Sequence, residues 1–389
     1  MSGSRRALAG AVLLDFAVSP LFIWGALTAA LSQELDVAEK DLTSVFSVGL
    51  ATFTVGVLAG GRLADTVAPR QLALVAGAGV CAGLGTSAVA PSVAALTVGY
   101  GLLLGGAAGI GYATAVRVAG TVSTHRGGSI AAVVSAYAAG AVVLAPVADR
   151  LLVLVGRTGT FLALAAGMLL LLMLASALLP GAAPSALARP TAPRDLARGG
   201  GRVPALWLMF LLGSAPALVA FAHPSQFLDD PGWAVLAVAL LNGGNLAGRL
   251  LSGPVADRLG LPPTLHVTMA ALTVACAGLA VTGTTGVVLA AYLVLGAQYG
   301  ALSVLTPLAT AALVPARVFG RAYGKVFTGW GAAGLAGPLA AAWLADGRSY
   351  RLVAGALLGV AVLGWFAVLL VQAIGGHNPE ASGPKATRL

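Results

Sequence analysis

Charge is what this chain has least of. Only 9% of its 389 residues are Asp, Glu, Lys or Arg, against 58% hydrophobic. Soluble chains carry about 25% charged residues, so a water-facing globule of this size is excluded. Cysteine is nearly absent. Cys81 and Cys276 each lie inside an apolar run and read as small packing residues, which excludes a disulfide framework. Histidine is equally sparse. His125, His223, His266 and His377 fall at loops or run ends, far apart in sequence, and match neither a metal site nor a catalytic triad. Gly105-Gly106-Ala107-Ala108-Gly109 has the glycines of a phosphate loop but lies in an apolar run and lacks the lysine. No enzyme activity, cofactor or metal is expected.

Apolar runs of helical length are what the chain has in abundance. Twelve are read, at 7–31, 42–62, 70–90, 93–118, 128–149, 158–179, 203–223, 233–254, 262–282, 285–313, 323–345 and 350–374. Their saturation with Ala and Gly (53 glycines in all) suits close approach between membrane helices. The first run continues from Ala7 to Leu31 without a cleavage site, so it is read as a span and not a signal peptide. The net charge of +9 comes from arginines scattered over short loops, which argues against a nucleic-acid partner. With both termini inside, fourteen Lys and Arg fall on the cytoplasmic side and five outside, so the expectation is a multi-pass inner-membrane protein with cytoplasmic termini. The longest interruption divides the spans six and six. The domain expectation is a bundle at 1–180, a cytoplasmic linker at 181–203, a second bundle at 204–376 and a tail at 377–389.

One charge lies where hydrocarbon is expected. Arg249 sits eight residues before Asp257, in a stretch otherwise interrupted only by Asn242 and Asn245. That places it ~12 Å inside the membrane face at 1.5 Å per residue. A charge near mid-membrane costs ~2.5–3.5 kcal/mol on insertion scales, so it is expected to face a cavity as an anion site. An internal repeat accompanies it. Gly61-Arg62-Leu63-Ala64-Asp65 matches Gly253-Pro254-Val255-Ala256-Asp257 at an offset of 192, which also relates Gly56 to Gly248, Tyr100 to Tyr292 and Pro146 to Pro338. Two duplicated six-helix halves with a site between them describe a secondary transporter.

The loop Gly61 to Arg70 resembles the signature loop of the major facilitator superfamily, with Thr66 and Ala68 in place of its usual basic residue and glycine. The second copy, Ala256 to Gly260, is closer to pattern. A narrower resemblance is to the oxalate/formate antiporter family. Tyr100-Gly101, Gly109-Ile110-Gly111-Tyr112, His125-Arg126-Gly127 and Ala145-Pro146 carry it in the first half. Phe319-Gly320, Tyr323-Gly324, Phe327 to Gly331 and Gly337-Pro338 carry it in the second. The Asn245/Arg249 spacing is similar to that in the monocarboxylate transporters. The resemblance implies a twelve-helix, all-α membrane fold and a small organic anion as substrate, moved with a proton or in exchange for another anion. Oxalate carriers place a lysine where Trp330 stands here, which argues for a monoanion; Lys325 is read as a snorkelling interface residue.

Spans 1 and 4 border the central cavity in that superfamily, and Asp15 and Arg117 lie at similar depth in them. An Asp15–Arg117 ion pair is therefore sterically reasonable, either holding two helices in register or, on opening, letting Asp15 take up the coupled proton; the sequence does not decide whether it forms. Arg117 and Arg249 against Asp15 leave one net positive charge, which one carboxylate neutralises. Arg249 and Arg117 are assigned to substrate binding, with Asn245, Asn242, Tyr112, Gln298, Tyr299 and Trp330 as hydrogen-bond or wall residues. Asp65 and Asp257, with Arg126 and Arg258, are assigned to gating or to structure. A monomer surrounded by lipid is expected. The alternative is a drug or metabolite efflux antiporter, since the Gly140 to Pro146 region loosely resembles such exporters. A non-transporting membrane receptor or scaffold accounts for the spans but not for the repeat or the embedded charges.

Overall fold

Peptide groups in hydrocarbon must be satisfied within their own segment, and these apolar runs accordingly form helices. The computed structural model describes residues 3–122, 125–182, 202–228, 230–345 and 350–376, and no strand occurs among them. Helix α1 covers Gly3–Leu35 and is broken in its middle by the 3-10 turn Ser19–Ile23 at Pro20. It is followed by α2 (Glu39–Ala64), α3 (Pro69–Ala88) and α4 (Val93–Val122), the last containing a π-helical stretch at Thr97–Leu104. The 53 residues Arg126–Leu178 are helical on both sides of Gly156, whose φ of 66° reverses the chain where an L side chain is disfavoured. They form α5 (126–155) and α6 (157–178). Then come α7 (Val203–Ala222), α8 (Ala234–Leu259), α9 (Leu261–Val281), α10 (Thr285–Leu313), α11 (Phe319–Ala345) and α12 (Tyr350–Gly376).

Ten of the helical segments are long and apolar enough to cross a membrane, with Arg126–Leu178 counted once. Helix α11 is outside those ten because its glycines, Pro338 and two tryptophans dilute its apolar character. The arrangement is consistent with twelve crossings. Of the linker expected at 181–203, residues 183–201 lie outside the described residues, as does the tail at 377–389. Large apolar side chains such as Val235, Leu170, Leu339 and Phe366 are exposed on the outer surface. In water such a surface is an association hazard, whereas in a bilayer it is covered by acyl chains.

The 192-residue repeat has a physical content, because matched residues do matched work. The Tyr100 hydroxyl donates to the Pro20 carbonyl at the break in α1, and the Tyr292 hydroxyl donates to the Pro224 carbonyl at 3.1 Å, just past the end of α7. Each tyrosine thus satisfies a proline carbonyl at a place where the regular helix is broken or has just ended. Gly56 and Gly248 each bring two backbones together. A Cβ on Gly56 would overlap the carbonyl oxygen of Gly106 in α4, and one on Gly248 that of Ala297 in α10.

This contact supplies a stability test. Gly248→Val is expected to destabilise the fold by about 1–3 kcal/mol through overpacking. Gly243→Ala, whose added carbon meets nothing within 4 Å, is expected to leave the thermal midpoint of the detergent-purified protein unchanged or slightly raised, Ala being the better helix former. Equal midpoints for the two variants contradict the packing account.

Candidate functional site

Both ends of the described chain lie at one face of the bundle, the terminal face, where the Arg6 guanidinium in α1 donates to the Ala177 carbonyl in α6. Two carboxylates hold this face together. Asp65, at the end of α2, accepts hydrogen bonds from the backbone N–H groups of Gly320 (3.0 Å) and Arg321 (2.8 Å) in the first turn of α11. Asp257, near the end of α8, accepts from the N–H groups of Gly127 (2.9 Å) and Gly128 (2.8 Å) in the first turn of α5. Each carboxylate therefore caps a helix of the other half of the chain, where free N–H groups and the positive end of the helix dipole favour an anion. Glycine permits the approach. A Cβ on Gly61 would meet the Gly320 carbonyl, and one on Gly127 that of Gly253. The Arg126 guanidinium reaches the Ala311 carbonyl at 3.4 Å, while Arg258 lies exposed and makes none of these contacts.

Arg117 belongs to this closed end. Its Nε donates to Asp65 Oδ1 at 2.9 Å and its Nη2 to the Ala316 carbonyl at 3.4 Å, and both charged side chains are buried. The Asp15–Arg117 pair weighed from the sequence is not the one formed: Arg117 pairs with Asp65, and it is not among the residues lining the cavity below. Similar depth along two helices does not set the direction in which each side chain points. The guanidinium reaches from α4 toward the terminal face, where Asp65 already stands.

Beyond this closure, toward the opposite (distal) face, lies a cavity of about 670 Å³ lined by both halves of the chain. Arg249 is on its wall. Its Nε donates to Asn245 Oδ1 at 2.9 Å, one turn earlier on α8, and its Nη1 to the Val134 carbonyl of α5 at 2.8 Å. The other guanidinium N–H groups form no bond with described residues. Asn242, Asn245, Tyr112, Tyr299 and Trp330 also line the cavity. The Trp330 indole donates to the Tyr299 hydroxyl at 2.7 Å, and the Asn242 amide donates to the Val238 carbonyl at 2.9 Å. Gln298 lies outside the lining, its amide donating to the Gly213 carbonyl at 3.1 Å. Asp15 is fully buried behind the wall. Its two oxygens have no hydrogen-bond donor among the described residues, and Arg249 is the charged group that acts on it.

The floor of the cavity is aromatic. Tyr112 and Tyr323 meet hydroxyl to hydroxyl at 3.3 Å across the two halves. Phe53, Tyr137 and Phe327 pack around Tyr112, with ring centroids 5.4–5.6 Å from it, and Phe327 reaches Trp330 at 5.0 Å. Phe53 and Tyr137 were not singled out from sequence, and Phe327 only within a resemblance stretch, because an aromatic residue in an apolar run cannot be told from packing. A smaller groove of about 250 Å³ on the outer surface between α8 and α9 is lined by Leu251, Val255 and Val267 and has no charged group.

The closure predicts a shift on mutation. Asp65→Asn leaves Arg117 buried without its counter-charge, a loss of about 3–5 kcal/mol for the closed terminal face. Spin labels at the exposed positions Arg5 and Arg258 are expected to report longer separations in this variant than in the wild type. An unchanged distance distribution contradicts a closing role for Asp65.

Comparison with known proteins agrees with this geometry. The family model for the Major Facilitator Superfamily matches residues 8–304 and 228–388. No curated protein sequence matches. Among solved structures, the proton:xylose symporter XylE bound to 6-bromo-6-deoxy-D-glucose is similar with a TM-score of 0.71 and 14% identity, over 96% of this chain and 95% of that one. The human organic anion transporter MFSD10 (TETRAN) is similar at 0.69 and 18%, over 95% and 100%. FucP in the outward conformation is similar at 0.69 and 12%, over 92% and 98%. At these identities the structural likeness is one of fold, and with the family match it leads to one conclusion: the chain belongs to the major facilitator superfamily of membrane transporters.

Proposed function

We propose that this transporter moves an organic monocarboxylate together with a proton by alternating access, in an inner membrane with both termini in the cytoplasm. The observation that carries the reading is the Arg249 guanidinium, which lines the cavity with N–H groups that no described residue engages and acts on the fully buried Asp15. A guanidinium edge matches a carboxylate in shape as well as charge, and both gain strength away from water.

Charge balance supplies the coupling. With Arg117 bound to Asp65, the ionisable groups left at the site are Arg249 and Asp15, whose charges cancel when both are ionised. A carboxylate arriving alone adds an uncompensated negative charge in a poorly hydrated place. A carboxylate arriving with a proton on Asp15 leaves the balance at zero. A buried carboxylate without donors is costly, and protonation removes that cost. Asp15 therefore carries the proton and Arg249 the anion. Asp65 and Asp257 act as the gate, because their caps must break for the terminal face to open.

The resemblance of the signature stretches to the oxalate/formate antiporter family supports an anionic substrate, and the Asn245/Arg249 pair supports a monocarboxylate. The second reading is an exporter of amphipathic compounds, which the aromatic wall favours; Arg249 then selects anions over cationic drugs.

Proteoliposome uptake of labelled lactate, formate and oxalate under an imposed pH gradient tests the proposal. Uptake is expected to rise as the outside is acidified, with the monoanions preferred to oxalate. Acceleration by internal anion without any pH response points to exchange instead. Arg249→Lys is expected to lower transport at least tenfold with an unchanged thermal midpoint, and wild-type kinetics refute the site. Asp15→Asn is expected to flatten the pH response, and a wild-type response removes Asp15 from the coupling.

A further inference from the structure

We infer that the carboxylate this site accepts best is attached to an aromatic ring system, and that short-chain acids, though carried, bind more weakly. The inference rests on the monocarboxylate reading above and narrows it. Three observations carry it. The first is size. A cavity of about 670 Å³ lies within the ~300–1,000 Å³ range of pockets that enclose drug-sized ligands. At ~30 Å³ per water it holds roughly twenty, so an acid of four heavy atoms leaves most of the wall wet.

The second is the wall itself. Ten of its 27 lining residues are aromatic, drawn from a chain in which only 6% of residues are. Phe53, Phe327 and Trp330 present rings to the cavity at centroid spacings of 5.0–6.2 Å to one another, with mutual tilts of 40–70°. Such offset and edge-on arrangements leave ring faces and edges available to a further ring. On α8, Gly243 also lines the cavity and has no atom within 4 Å of where its Cβ would be, so a flat group can lie against bare backbone there.

The third is an unanswered polar group. Tyr137 is buried on the cavity wall, and its hydroxyl has no hydrogen-bond partner among the described residues. It stands three residues after Val134, whose carbonyl holds Arg249, so phenol and guanidinium belong to the same end of the site. That end receives the carboxylate. The rings of Phe53, Phe327 and Trp330, with the bare backbone at Gly243, receive the ring.

Calorimetric titration of the purified full-length protein at mildly acidic pH, with acetate, phenylacetate, 1-naphthylacetate and benzylamine as probes, tests the assignment. Phenylacetate is expected to bind on the order of 30-fold more tightly than acetate, from the burial of one ring. 1-Naphthylacetate is expected to bind at least as tightly, and benzylamine not at all. Equal affinity for acetate and phenylacetate overturns the aromatic assignment and leaves the monocarboxylate reading standing. Benzylamine binding as tightly as phenylacetate, with phenylacetate affinity unchanged in Arg249→Lys, overturns both. Gly243→Leu, which adds a side chain into open space, is expected to weaken 1-naphthylacetate at least tenfold and phenylacetate less. An equal loss for the two contradicts the placement of the ring against α8.

Discussion

A guanidinium inside a bilayer-spanning bundle must be answered by polar groups, and most of this architecture follows from how Arg249 is answered. Asn245 on its own helix and the Val134 carbonyl on α5 take two of its N–H groups. The side chain also lines the large cavity described between the halves. The Val134 bond also ties α8 to α5, and the same two helices are joined at the terminal face by the Asp257 cap on Gly127 and Gly128. The Arg249 side of the cavity and the closure thus share one helix pair. A ligand that competes with the Val134 carbonyl for Arg249 alters the packing of the elements that the cap holds shut.

Duplication explains the frame, and departures from it account for the chemistry. The paired residues Asp65/Asp257, Tyr100/Tyr292 and Gly56/Gly248 do equivalent work in each half. The charged groups at the centre break the pattern. At the 192-residue offset Asp15 corresponds to Trp207, Arg117 to Ala309 and Arg249 to Val57. The two closures are consequently unequal. Asp65 is buried and ion-paired to Arg117, whereas Asp257 is exposed and holds its helix by the cap alone. Exposure screens the second cap, so it is the weaker of the two.

The spans were legible because length and apolarity are read directly from residues; 285–313, for example, is the helix Thr285–Leu313. Arg249 was legible for the same reason, as a charge in a run that otherwise excludes charge. The break in α1 at Pro20 was not anticipated, because the Tyr100 hydroxyl that satisfies it comes from eighty residues away. The partner of Arg117 was not legible because helical rise fixes depth and leaves azimuth undetermined. The aromatic floor was hidden for a related reason. Rings from α2, α4, α5 and α11 converge only once those helices pack, and each alone looks like ordinary core.

The central claim is that one positive and one negative group serve the cavity, so that anion and proton move together and no net charge crosses. Current recorded from proteoliposomes on a solid-supported membrane, during saturating monocarboxylate uptake at fixed pH, tests it most directly. The account predicts electroneutral transport, with flux unchanged by an imposed membrane potential and no sustained current. A steady current that scales with uptake, of either sign, contradicts it.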